Sequence, residues 1–318
     1  MLDFGSALYL GMRHPAAALA GWEALTLGRP AAACEPPGAG VLARALARLV
    51  GTEAATLLPS TLHLFWDLLR VLAAERIALL VDAGSYPIAR WGAQCAAASG
   101  TPLTLFARGS AGMALRLARA AAHAGRSPVI VSDGYFPGDG GAPPLRAYAA
   151  IARQLGGYLV LDDTQALGLF GQRPGPGAPY GSGGGGSARM HGLEGRHVLV
   201  GASLAKGFGA PLAVLCAGAA MVRRFENHSQ TRVHSSPPCV AAIMAGQRAL
   251  ELNRERGDAL RLRLWRLVAR FREAVARYGL RLRGGAFPVQ TLQLEPGIDG
   301  AQLHQNLCAA GIGTVPRR

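Results

Sequence analysis

Of the chain's 33 basic residues, 32 are arginines and one, Lys206, is a lysine. Arginine serves solubility and phosphate binding as well as lysine does, but its guanidinium stays protonated and offers no amine nucleophile. A sole lysine therefore marks a place where an amine is needed. The alternative is chance survival, and the setting Ser203-Leu204-Ala205-Lys206-Gly207-Phe208-Gly209 counts against it. Two carboxylates have a related placement: Asp162 closes the apolar run Tyr158-Leu-Val-Leu, and Asp133 follows Pro128-Val-Ile-Val-Ser. An amine and carboxylates gathered in one cleft can divide the donor and acceptor roles of proton transfer.

The elements that must position these groups follow from periodicity. Short apolar runs at 54–58, 77–81, 102–105, 128–132, 158–162, 198–201 and 212–217 read as strands, with helical stretches between most of them. Val41 to Val50 reads as a helix, and Ser60-Thr61 opens another through about Ala74, since Ser and Thr favour the N-cap. Strands alternating with helices predict an α/β fold, a mostly parallel sheet covered by helices on both faces. Ligands of such sheets sit beyond the carboxyl ends of the strands. Asp133, Asp162 and Lys206 all follow strand ends and so converge there. The glycine- and proline-rich stretch from Phe170 to Arg196, with Gly183 to Gly186 consecutive, lacks the Gly-Lys-Ser/Thr of a phosphate loop and reads as a flexible surface loop.

Composition narrows the function class. With 318 residues, 50% of them hydrophobic and 16% charged, the chain can bury a core without disulfides or metals. The longest membrane-like run, Gly207 to Val222, is short and interrupted by Gly209 and Pro211, so no membrane span is expected. Asp3 comes early and no basic stretch precedes an apolar run, so the expectation is no signal peptide and a cytoplasmic location. Five scattered cysteines, Cys34, Cys95, Cys216, Cys239 and Cys308, form no CxxC pair; they read as small buried hydrophobes, with no metal site. Many of the arginines behind the net charge of +14 fall between Arg248 and Arg283, where Leu260, Leu264, Leu267, Val268, Phe271, Val275 and Tyr278 recur at helical spacing. That is an amphipathic helix with a solvated basic face. No RNP pattern, zinc finger or basic zipper supports a nucleic-acid partner, and the basic field suits an anionic small substrate better.

The runs Asp162-Asp163-Thr164-Gln165-Ala166-Leu167-Gly168 and Ser203 to Gly209 together resemble the pyridoxal 5'-phosphate (PLP) enzymes of fold type I, and within them the α-oxoamine synthases. The resemblance extends over nearly the whole chain. Asp3 to Gly11 is similar to the family's FSSNDYLG segment, Gly51-Thr52-Glu53-Ala54-Ala55 to its GTEAA, Asp133 to Phe136 with Asp139-Gly140 to its EGVFSMDG, and Ser235-Ser236-Pro237-Pro238 to its serine/threonine-rich PP stretch.

That resemblance implies a transferase that condenses an amino acid with an acyl thioester, on acyl-CoA or acyl carrier protein. It implies Lys206 as the cofactor-binding amine and acid/base, and Asp162 as the carboxylate on the pyridine nitrogen, with Asp163 structural. Ser60, Thr61 and Ser203 would meet the cofactor phosphate, with Ser235 reaching across from a neighbouring subunit of a homodimer that shares its active site. Tyr86 stands where the family has a stacking histidine, and Gln165 where it has a histidine near the phenolic oxygen; glutamine can donate a hydrogen bond but cannot titrate. Ser60 as a plain N-cap, Tyr86 as an ordinary packed aromatic and Asp162 as a turn acid are the bland alternatives. The implied organisation is an arm over 1–35, a large PLP-binding α/β domain over 36–240, and an interdomain helix with a shortened small domain over 241–318. The family's C-terminal carboxylate-gripping arginine is expected to lie beyond Arg318. The rival functions are an aminotransferase or other amino-acid-transforming enzyme of the same fold, and a catalytically silent binding protein.

Overall fold

The structure, a computed structural model, describes residues 2–138 and 141–316; Met1, Asp139, Gly140, Arg317 and Arg318 lie outside the described residues. The chain runs β1 (Leu2–Asp3), α1 (Ala39–Val50), β2 (Ala54–Leu58), α2 (Thr61–Ala73), β3 (Ile77–Asp82), α3 (Pro87–Ala98), β4 (Leu103–Phe106) and α4 (Ala111–His123). Then follow β5 (Ser127–Asp133), α5 (Leu145–Gln154), β6 (Tyr158–Asp162), α6 (Gly186–His191), β7 (Val198–Ser203) and β8 (Ala213–Ala217). The remainder is α7 (Ala219–His228), α8 (Gln230–His234), α9 (Val240–Arg277), β9 (Arg281–Arg283), β10 (Thr291–Gln293), α10 (Gly300–Ala309) and β11 (Ile312–Gly313).

Seven strands make one sheet in the order β2-β8-β7-β6-β5-β3-β4. Neighbours from β4 to β7 pair in parallel, while β8 is antiparallel to both β7 and β2. The expected α/β architecture with a mostly parallel sheet is therefore present. Side chains alternate between two dry faces, as a doubly covered sheet requires. Leu80, Ile130, Leu159, Leu161 and Val200 pack toward α1, α4, α5 and the start of α9. Leu79, Val81, Val129, Val131, Val160 and Leu199 pack toward α2, α3 and α7. Because β2 points the same way as the parallel strands, its carboxyl end lies at the same edge of the sheet as those of β3, β5, β6 and β7.

The arginine-rich helix begins earlier than expected, at Val240, and ends at Arg277, leaving Arg281–Arg283 to a hairpin strand paired with β10. At 38 residues it is about 57 Å long. Its first half is well buried, but of the apolar stripe read from the sequence only Val268 is buried, and Leu267 and Tyr278 are exposed. The second half is mostly half-buried or exposed. The cysteine expectation is corrected likewise: Cys216 alone is buried, Cys34 and Cys95 are half-buried, and Cys239 and Cys308 are exposed. The first residues of the arm are tied down, with β1 parallel to β11 and the Phe4 ring 5.6 Å from that of Phe271. Among the described residues no helix is long and apolar enough to cross a membrane.

Candidate active site

Strand register assembles the site. Asp133 ends β5 directly opposite Asp162, which ends β6, and Asp162 stands opposite Gly201 in β7. β7 ends at Ser203, and the tight turn that follows carries Lys206, half-buried. Thr164, which sequence reasoning passed over, ties the two strand ends together. Its backbone N–H donates to Asp162 Oδ1 (3.1 Å), and its hydroxyl oxygen accepts from the Ser203 N–H (3.0 Å). A hydroxyl residue two positions after a strand-terminal aspartate was the available signal. Ser203 Oγ accepts from Ala205 N–H (3.2 Å) and so shapes the turn itself. Gly207 must be glycine: a Cβ there would lie 2.4 Å from the Leu167 carbonyl oxygen.

The electrostatics are one-sided. Burial pushes the Asp133 and Asp162 carboxyls above their ordinary range, Asp133 further because Asp162, Asp82 and Asp163 are like-charged neighbours. Burial also pushes the Lys206 amine down, while the attraction of Asp162 and Asp133 works against that shift. Lys206 is the cation whose field reaches Asp162. Two buried carboxylates facing one amine leave the site short of positive charge, and a protonated pyridine nitrogen held at Asp162 supplies it. With an amine alongside, this donor set fits a pyridoxal-type group.

The other expected residues fall as follows. Gln165 is buried, and its Oε1 accepts from the hydroxyl of Tyr9 in the N-terminal arm (2.5 Å). With Oε1 taken, the amide presents its NH2. Tyr9, its hydroxyl pushed far above the usual phenol range by burial, packs edge-on to Phe287 (5.5 Å), which stacks on Tyr135 (4.5 Å). Tyr86 contributes its backbone: its N–H donates to Asp133 Oδ1 (2.9 Å), while its side chain is 52% exposed at the start of α3. Ser60 caps α2, accepting from the His63 N–H (3.5 Å) and meeting His63 Nδ1 at 2.8 Å; Thr61 beside it is buried. Both stand at the same edge of the sheet as Lys206. The structure of one chain turns Ser235 onto its own helix, with Oγ donating to the Thr231 carbonyl (2.6 Å). Asp163 faces away from the acid pair into the glycine-rich segment, where it accepts from the Ser187 N–H (3.0 Å) and hydroxyl, and burial pushes it up to about 7.

That segment is not the flexible surface loop its composition suggests. Gly181, Gly184, Gly185 and Gly186 are buried, and Leu167 pairs with Gly185 and Gln172 with Ser182 as short bridges. Apart from the site, a cavity of about 490 Å³ lies along the open edge of the sheet, between α1, β2 and residues 232–238.

No protein-family model matches the chain. An 8-amino-7-oxononanoate synthase from Sodalis glossinidius is 31% identical over 98% of this chain and 77% of its own length. Enzymes of the same name from Nitrosococcus oceani (30% identical) and Stutzerimonas stutzeri (35%) align with 59% and 55% of the chain, and the aligned part is less than half of either relative, 47% and 42%. A serine palmitoyltransferase from S. paucimobilis in complex with PLP–myriocin superposes with a TM-score of 0.81 at 18% identity, over 98% of this chain and 79% of that one. An 8-amino-7-oxononanoate synthase from Francisella tularensis gives 0.75 at 16%, over 99% and 88%.

Proposed function

The chain belongs to the pyridoxal-phosphate-dependent α-oxoamine synthases, and we propose that it condenses an amino acid with an acyl thioester, carried on coenzyme A or on a carrier protein. The observation that carries this reading is the convergence of the sole lysine with a buried strand-end carboxylate, at a site short of positive charge. When bound, pyridoxal phosphate supplies an electron-accepting ring that stabilises charge at the amino acid's α-carbon. The chain's own residues do the rest. Lys206 would hold the cofactor through Nζ and then move the α-proton, a task helped by burial, which lowers its basicity toward working pH. Asp162 would keep a proton on the ring nitrogen, its orientation fixed by Thr164. Gln165 would donate from Nε2 to the phenolic oxygen, its amide held in that sense by Tyr9. The N-terminus of α2, with Ser60 and Thr61, would take the phosphate along with Ser203.

In this reading residues 36–240 carry the cofactor, 1–35 wall the site through Tyr9, and 241–318 form a smaller unit. The protein acts in the cytoplasm as a homodimer that shares its active sites. The open edge beside β2, with its groove and the neighbouring Ser235, is the surface a second copy would cover.

The test is reconstitution with pyridoxal phosphate, borohydride reduction and peptide mapping, followed by amino acid plus acyl-CoA or acyl carrier protein with a thiol-release assay. Label on Lys206 and amino-acid-dependent thiol release are expected. Exchange of the amino group with a keto acid without thiol release would make the chain an aminotransferase. A labelled protein that turns over neither substrate set would make it a binding protein.

A further inference from the structure

The glycine-rich segment is clamped by three polar side chains of α9. Gly183 donates its N–H to Asp258 Oδ1 (2.9 Å), and its carbonyl accepts from Asn253 Nδ2 (2.9 Å). Both side chains are held by Arg261, which is 2% exposed. Its Nε and Nη2 donate to Asp258 Oδ1 (3.1 and 2.5 Å), and its Nη1 donates to Asn253 Oδ1 (2.8 Å). The same Nη1 donates to the Gly168 carbonyl oxygen (2.8 Å), and the Gly168 N–H donates to the Gly184 carbonyl (2.8 Å). Gly168 in turn lies against the turn of the catalytic lysine: a Cβ on Gly207 would stand 3.1 Å from Gly168 Cα. At its other end the segment meets Asp163, whose Oδ2 lies 1.9 Å from where a Gly186 Cβ would be.

A buried guanidinium is costly to desolvate, and its one carboxylate partner, Asp258, is largely exposed. An apolar side chain would fill that space at less cost. What the arginine adds is direction, with bonds to the helix, to the turn after Gln165 and, through Asp258 and Asn253, to the glycine segment.

We propose that Arg261 is a positioning residue of the active site: by fixing the Gly168 carbonyl and the glycine segment it holds the Leu167–Gly168 backbone against the Lys206 turn, and so sets where the Lys206 amine stands relative to Asp162. This rests on Lys206 and Asp162 being the working pair.

The experiment compares holoenzyme of the natural sequence with Arg261→Lys and Gly184→Ala. In the second, the added Cβ would meet Arg261 Nη1 at 2.5 Å while the arginine remains. Arg272→Gln is the control on the same helix, since Arg272 Nη1 donates instead to Gln290 Oε1 (2.7 Å). The readouts are the label on Lys206 after borohydride, the pH midpoint of the bound cofactor's absorbance, exchange of the substrate α-proton with solvent, and amide hydrogen exchange of the peptide spanning 204–209. Arg261→Lys and Gly184→Ala should keep the label, slow α-proton exchange by up to about 100-fold, as a displacement of order 1 Å does, and shift the pH midpoint by about one unit. Both should speed amide exchange in 204–209, and Arg272→Gln should change none of these. Variants that lose thermal stability yet keep the midpoint and the 204–209 exchange of the natural protein would overturn the proposal and leave a plain structural brace. If Arg261→Lys does not fold, Gly184→Ala and Asn253→Ala decide the matter. Absence of label on Lys206 in the natural protein would refute the catalytic reading, while the amide-exchange arm would still decide whether Arg261 controls the turn.

Discussion

Replacing Asp163 by asparagine should remove a pH dependence from the protein's stability. Asp163 is wholly buried, and burial raises its carboxyl from 3.8 to about 7 even though Ser187 donates to it twice. Between those values the folded chain holds a proton on Asp163 that the unfolded chain has released. The unfolded state therefore binds fewer protons, and stability falls as pH rises through this window and levels off above it. At 1.36 kcal/mol per unit, the full span amounts to about 4 kcal/mol, and the part between pH 5 and 7 to about 3 kcal/mol. Asparagine has the shape of the neutral acid. It can accept from the Ser187 N–H and donate to Ser187 Oγ, and it never ionises. Equilibrium urea unfolding at pH 5, 6, 7 and 8, followed by tryptophan fluorescence, tests this. The stability advantage of Asp163→Asn over the natural protein should widen by about 3 kcal/mol between pH 5 and pH 8. Asp133 and Asp162 titrate in both proteins, so the difference between the two curves reports Asp163 together with its repulsion of these neighbours. Parallel curves would refute the argument, because they would mean that the buried carboxyl carries no proton linkage.

Asp162→Asn should leave label on Lys206 but slow α-proton exchange by roughly 3–4 kcal/mol, the loss seen on removing a key electrostatic partner; a rate within tenfold of the natural protein would put the ring-nitrogen partner elsewhere. Tyr9→Phe should free the Gln165 amide and weaken cofactor binding by about 1 kcal/mol, read by equilibrium dialysis, with unchanged affinity showing that the amide holds its orientation unaided. Gly186→Ala combines a left-handed backbone (φ 85) with a Cβ 1.9 Å from Asp163 Oδ2. It should lose about 3 kcal/mol or more in unfolding free energy, and a loss under 1 kcal/mol would mean that the segment gives way easily.

The parts of this site legible in the sequence are those fixed by neighbours in the chain. β2 and β6 fall at the expected residues because an apolar run of strand length is bounded by turn-forming or acidic residues. Asp162 and Lys206 stood out because one closes such a run and the other is the sole amine. The antiparallel β8 was within reach too. Only nine residues, 204–212, separate it from β7, too few for the crossover that a parallel neighbour needs. Tyr9 and Arg261 escaped because their partners lie 156 and 93 residues away, and no local pattern marks a contact at that range. The Tyr86 N–H bond to Asp133 was equally hidden, since every residue but proline carries that group.

The glycine run shows why composition misleads in such a case. Glycine lowers the barrier to many conformations, so four in succession read as freedom, yet ordering each one costs more backbone entropy than any other residue would. The run is ordered because side chains are what would not fit. The space beside Gly184 is filled by Arg261, that beside Gly185 by the Leu49 carbonyl, and that beside Gly186 by Asp163. The segment is thus bare backbone between α1, the acid end of β6 and the polar face of α9, and backbone amides and carbonyls are what the side chains of Asn253, Asp258 and Asp163 bind. The same absence of side chains that suggests flexibility in the sequence allows this close approach. The partner groups that turn it into a rigid contact are spread over a helix 70 residues further along, where they read as part of a solvated charged face.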